Sequence, residues 1–246
     1  AASDNCGLVT WSNNFGSLSN LCGATGSVSV TFTATDACGN TTATTATFTI
    51  QDTQDPVWSL NPQPLTIECN SSNDPNGQIQ AWLNSAGNGI ASDLCSGTVT
   101  YSNNFTSLSN GCGTTGSATV TFTATDACGR TATRTAIVAV VDTDGPAITS
   151  PAKNMTVECD GAGNTTALNT WLANNGGATA SDECGSVSWQ TPVLMQTIPG
   201  CGLTKTLVYM FQAKDECNNL SANTIASFII EDTQSPDLTL PSDKIV

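Results

Sequence analysis

The chain repeats itself every 90 residues or so, and each copy carries cysteines at the same relative places. Ser27 to Gly39 reads SVSVTFTATDACG, and 90 positions later Ser117 to Gly129 reads SATVTFTATDACG. Upstream of these, TWSNNFGSLSNLCG recurs as TYSNNFTSLSNGCG. A diverged third copy follows, with VSWQ from Val187, PGCG from Pro199 and FQAKDECNN from Phe211. Self-similarity at such a period marks an array of small units rather than one large core. Each unit ends in a related linker: Gln51 to Pro56 (QDTQDP), Val141 to Pro146 (VDTDGP) and Glu231 to Pro236 (EDTQSP). Proline there cannot extend a strand ladder, so it marks a boundary. The expected organisation is a partial repeat over 1–58, full repeats over 59–148 and 149–238, and the start of another over 239–246. A pattern cut in mid-repeat leads us to expect a longer parent protein.

The eleven cysteines fall on the same grid, and there is no histidine. A first class is Cys69 and Cys159, in IEC and VEC; a second is Cys6, Cys95 and Cys184, after SDN, SDL and SDE. The third is Cys22, Cys112 and Cys201, and the fourth is Cys38, Cys128 and Cys217. No CxxC pair is present, so thiolate zinc sites are not expected. Dispersed cysteines in a Thr-rich chain read as disulfides formed in an oxidising compartment. Four per complete repeat makes the odd total a matter of an incomplete first repeat, not of a reactive thiol. Strictly alternating antiparallel strands would put the first, second and fourth classes at the pole facing the preceding repeat. Three connectivities per repeat are open; the favoured one joins second with fourth and first with third.

Within a repeat, short segments alternate apolar and polar residues, the period of half-buried strands. Leu65 to Cys69 and Thr98 to Ser102 are two such segments, and Ala118–Thr125 with Thr131–Val141 reads as a hairpin around DACGR. Ile79, Trp82 and Leu83, and again Leu168, Trp171 and Leu172, have the i, i+3, i+4 spacing of one helical stripe. Such a tryptophan serves a sandwich core more readily than a stacked sugar. Trp11, Tyr101 and Trp189 share one place in the pattern, expected to be a core aromatic on the third strand. The fold class is therefore all-β: tandem immunoglobulin-like β-sandwich repeats of about 90 residues, each with one short helix insertion.

Six Lys and Arg against twenty Asp and Glu give a net charge of −14. That excludes nucleic acid as a partner, because binding it requires neutralised phosphates. No stretch approaches the roughly 20 apolar residues of a membrane helix, so no membrane insertion is expected. The acids gather near the repeat junctions. Asp52 and Asp55, with Glu68, Asp93 and Asp126, are expected to meet at one junction; Asp142 and Asp144, with Glu158, Asp182 and Asp215, at the next. Clustered carboxylates without nearby Lys or Arg offer hard oxygen ligands, so calcium is the candidate cofactor. The competing reading is that these Asp side chains hold turns. There is no histidine base, no GxSxG and no P-loop, so no enzyme activity is expected.

The combination of IEC or VEC, the Trp helix, SDxC, TFTATDACG and DTxxP resembles the HYR-like and related immunoglobulin-like repeats of giant bacterial surface proteins. It is most similar to repeats of SprB-type gliding adhesins and other type IX-secreted proteins, over essentially the whole chain. The third repeat departs from the pattern at Gln212 to Cys217. The resemblance implies an extracellular or cell-surface location and a structural stalk or filament segment serving adhesion or gliding motility. Neighbouring repeats are the expected partners, with surface glycans or proteins beyond them. The alternatives are a glycan- or protein-binding module, through loops such as Ser12–Ser19 and Ser102–Ser109, or an accessory region of a secreted enzyme.

Overall fold

The computed structural model describes residues 2–70, 74–95 and 97–239. Residues 240–246 of the expected further repeat, with Lys244, lie outside the described residues. The chain divides into two compact units: residues 1–66, 76–108 and 117–139 form one, and residues 67–75, 109–116 and 140–246 the other. The division therefore passes through the second repeat.

In the first unit, β1 (Thr10–Asn13), β2 (Gly26–Thr35) and β3 (Thr41–Ile50) make an antiparallel sheet of order β1-β2-β3. The second repeat supplies β4 (Val57–Leu60), β5 (Leu65–Glu68), α1 (Gln78–Asn84), β6 (Ile90–Ser92), β7 (Thr100–Asn103), β8 (Gly116–Thr125) and β9 (Thr131–Val141). These form a β4-β6 pair and a four-stranded sheet of order β5-β9-β8-β7. Alternation builds the core. Val120, Phe122 and Ala124 on β8 and Val138 on β9 are fully buried, while their neighbours along each strand face outward. Trp82 packs edge-on against Phe122 with ring centroids 5.0 Å apart, and its indole N–H donates to the Gln63 carbonyl at 2.8 Å. Burying a side chain of Phe122's size contributes about 2–3 kcal/mol. Among the described residues of the first repeat no helix covers the equivalent face: Phe32 and Phe48 are 38% and 57% exposed.

In the second unit the third repeat builds β10 (Ala147–Ser150), β11 (Met155–Glu158), α2 (Thr165–Ala173), β12 (Thr179–Ser181), β13 (Ser188–Trp189), β14 (Val193–Pro199), β15 (Lys205–Phe211), β16 (Ala213–Lys214) and β17 (Thr224–Glu231). The sheets are β10-β12, β11-β17-β15-β14 and β13-β16. Trp171, Leu207, Phe211, Ala226, Phe228 and Ile230 form its core. The chain is thus all-β and immunoglobulin-like, with one short helix in each of the two complete repeats. The helical tryptophans are buried, and neither presents a face for a sugar to stack on.

Two expectations are corrected. The shared aromatic is not a core residue at two of its three positions: Trp11 and Tyr101 are 52% and 41% exposed, whereas Trp189 is half-buried and packs against the core of the third repeat. Tyr101 uses its hydroxyl to accept from the N–H of Ala91 at 2.8 Å, which holds it at the sheet margin. The strand that carries the first cysteine class is also not antiparallel to its neighbour. β11 runs parallel to β17, Met155 beside Phe228 and Glu158 beside Glu231. It therefore ends at the same pole as the last strand, facing the following repeat. Cys69 and Cys159 both donate their N–H at 2.8 Å to residues closing the last strands, Val141 and Glu231.

The place of Cys69 at the end of the last strand of its repeat turns it toward the following repeat. Cys69 bridges Cys184, Cys112 bridges Cys217 and Cys22 bridges Cys128, with Cα separations of 5.7, 5.2 and 5.0 Å. Every bridge joins one repeat to the next, first class to second and third class to fourth, instead of closing within a repeat. Cys6, Cys38, Cys95, Cys159 and Cys201 are unpaired.

Candidate metal centre

Three acids converge in the second unit from three separate segments. Asp142 follows the end of β9, Asp182 follows β12 and Asp215 follows β16. One carboxylate oxygen of each lies within 4.8 Å of the others. Local turns fix them: Asp182 accepts the Cys184 N–H at 2.7 Å, and Asp215 accepts the Asn219 N–H at 2.9 Å. Each turn uses one oxygen. Asp215 is 3% exposed and its Oδ2 has no partner, and Oδ1 of Asp142 has none either. Buried polar atoms are ordinarily bonded, so these unpartnered anionic oxygens are the ones free to meet a ligand. Burial, then the charges of Asp215, Asp182 and Glu68, push the Asp142 carboxyl up to about 6 from an ordinary 3.8. Asp142 and Asp182 open onto a cavity of about 290 Å³, shared with Glu68, Asp144 and Glu183.

The donor set fits a hard divalent ion. The sulfurs of Cys69 and Cys184 also approach Asp142, but they are tied to each other and supply no thiolate. The remaining donors are carboxylate oxygens, the set calcium prefers.

The first unit carries only part of this arrangement, since Asp93, the counterpart of Asp182, does not join the group. Asp52 and Asp126 come together, with Oδ2 of each unpartnered and Asp126 5% exposed. Here, however, Arg130 lies over the linker. Its Nη2 donates to the Thr53 carbonyl at 2.7 Å, and its Nε sits 3.2 Å from Asp55 Oδ1. In the second unit the matching positions are Gly145 and Asn219, both neutral. Asn219 donates its side-chain N–H to the Asp142 carbonyl at 3.1 Å. A Cβ on Gly145 would fall 2.1 Å from the Leu220 carbonyl oxygen, so glycine is required there.

The sequence-expected acids therefore regroup. Glu68 belongs with Asp142, not with Asp52, because β5 ends at the far pole; it accepts the Thr143 N–H at 2.6 Å and hydroxyl at 3.1 Å. Glu158 repeats that contact with Thr233 at 2.9 Å and does not join Asp182 or Asp215. Asp93 holds a turn, accepting the Cys95 N–H at 2.7 Å, and Asp55 is taken by Arg130. Asn219 and Glu216 were not singled out from sequence. Glu216 accepts the Gly113 N–H at 3.0 Å, and the Ser186 hydroxyl and N–H hold its carboxyl below the usual range. Asn219 was legible in retrospect as the neutral counterpart of Arg130 in the aligned repeats.

No protein-family model and no curated protein matches the sequence. Among solved structures the chain is similar to mouse clustered PcdhgC3 EC1-3, at 13% identity and a TM-score of 0.27, covering 86% of this chain and 79% of that one. It is similar to the protocadherin GammaB4 extracellular domain at 13% identity and a TM-score of 0.34, covering 91% of this chain and 45% of that one. Drosophila N-cadherin EC1-4 gives 10% identity, a TM-score of 0.33 and coverage of 86% and 59%. Among the described residues no helix is long and apolar enough to cross a membrane.

Proposed function

We propose that this chain is a structural stalk segment of a large extracellular adhesin, in which calcium bound at the repeat junction fixes consecutive repeats against each other. The observation that carries this reading is the buried, unpartnered oxygen of Asp215 facing Asp142 and Asp182. An ion there would join a linker residue of one repeat to two loops of the next, with backbone carbonyls and water completing the six to eight oxygens that calcium takes. The inter-repeat disulfides support an oxidising, extracellular setting. The resemblance of TFTATDACG and SDxC to SprB-type repeats supports a role in adhesion or gliding on a bacterial surface through type IX secretion. Surface glycans or proteins are the partners such a stalk would present binding domains to.

Thermal melting with calcium and with EGTA tests the reading. Calcium should raise Tm, and Asp215→Asn should remove most of that shift. Equal melting of the wild-type chain in both buffers would sink the calcium-fixed stalk.

A further inference from the structure

The five unpaired cysteines obey the rule of the three bridges. Each belongs to a class whose partner class stands on an adjacent repeat, and for each of the five that partner position is not within the chain. Cys6 and Cys38 need the first and third classes of a repeat before them, and Cys95 needs the first-class cysteine of the repeat ahead of its own. Cys159 and Cys201 need the second and fourth classes of a repeat after them.

Their local structures are already those of the bridged positions. Cys6 donates its N–H to Asp4 at 2.7 Å, as Cys95 does to Asp93 and Cys184 to Asp182. Cys38 donates to Asp36 at 2.8 Å, as Cys128 does to Asp126 at 2.7 Å. The turn after Cys201 matches those after Cys22 and Cys112: the threonine three residues on donates its hydroxyl back to the cysteine carbonyl at 2.8, 2.6 and 2.7 Å. At the bridged sites this turn docks on the next repeat, through Ala24 N–H to Cys95 O at 2.6 Å and Thr114 N–H to Cys184 O at 2.7 Å. A Cβ on Gly113 would fall 2.0 Å from that Cys184 carbonyl. Gly202 has the same positive φ as Gly113, yet a Cβ on it would meet nothing within 4 Å, and Leu203 beside it is 59% exposed.

We infer that Cys159, Cys201 and Gly202 form a preshaped docking face for a further repeat of this same four-cysteine pattern joined in tandem, and that Cys6 and Cys38 form the complementary face. The first-class cysteine of one repeat would bridge the second-class cysteine of the next, and the third class the fourth. Each bridge forms as two thiols surrender two protons and two electrons to a disulfide oxidant, which leaves as two thiols. The inference rests on the stalk reading for its setting, but its readout is a bridge map that does not depend on calcium or adhesion.

The test replaces residues 239–246 with a second copy of residues 149–238, oxidises the chain with glutathione disulfide, alkylates it and maps peptides without reduction. Expected are bridges from Cys159 to the appended copy of Cys184 and from Cys201 to the appended copy of Cys217, with loss of alkylation at Cys159 and Cys201. Alkylation of both in a folded, extended chain overturns the inference. The same oxidation of the 246-residue chain guards against an extension that does not fold: a Cys159–Cys201 or Cys6–Cys38 bridge there also overturns it, and continued alkylation of all four supports it.

Discussion

Replacing Asp142 with Asn should stabilise the calcium-free protein and weaken its response to calcium. In the folded chain the Asp142 carboxyl titrates at about 6 against an ordinary 3.8. A group whose folded pKa is raised binds its proton more tightly in the native state. Its contribution to stability is full below 3.8 and lost as the pH climbs through about 6. At about 1.4 kcal/mol per pH unit, this shift corresponds to a cost of at most about 3 kcal/mol at pH 7.5. Solvent reaching the partly buried carboxyl reduces that to about 1–3 kcal/mol. Asn keeps the shape and removes the charge, so in EGTA at pH 7.5 the Asp142→Asn variant should melt roughly 5 °C above wild type, at about 2–4 °C per kcal/mol for a chain of this size. At pH 4 the two should melt together. Calcium at a hundred times its Kd should stabilise the wild type by about 2.7 kcal/mol. It should stabilise the variant by less, since a charged ligand is gone. Scanning calorimetry on both proteins at both pH values measures all four quantities. A variant that melts at or below wild type in EGTA at pH 7.5 would refute the repulsion on which the site is argued.

Asn219→Arg adds near the Asp142 linker the positive charge that Arg130 carries over the linker of the first unit; it should raise the EGTA Tm and reduce the calcium shift in the same calorimetry. Gly202→Ala should cost about 1 kcal/mol, the strain of a left-handed backbone, whereas Gly113→Ala adds a collision with the Cys184 carbonyl and should cost roughly 3 kcal/mol in urea melts. Phe122→Ala opens a cavity beneath Trp82 and should cost about 3–5 kcal/mol; a smaller loss would mean that the core collapses around it.

Much of the fold was legible in the chain itself. The 90-residue spacing of TFTATDACG, the period-two runs and the Ile79–Trp82–Leu83 stripe depend on nearest neighbours along a strand or helix, and these gave the sandwich, the buried tryptophans and the turns at Asp93, Asp126, Asp182 and Asp215. Shared local patterning also explains the miss at Trp11 and Tyr101. Equivalence between repeats fixes a position in the pattern, not whether another layer covers it.

The pairing of cysteines and the grouping of acids were different in kind. Both depend on which pole a strand points to, and the sequence of Leu65–Glu68 is the same whether it runs parallel or antiparallel to its neighbour. Only tertiary packing made β11 parallel to β17 and likewise set Cys69 against Val141 at the end of β9, and it is that placement at the end of β9 that sends Cys69 and Glu68 forward to Cys184 and Asp142. Sequence alone determined what each repeat is made of, because strand and helix patterning is local. The tertiary structure decided how one repeat is fastened to the next, because strand direction is set by contacts between residues far apart in the chain.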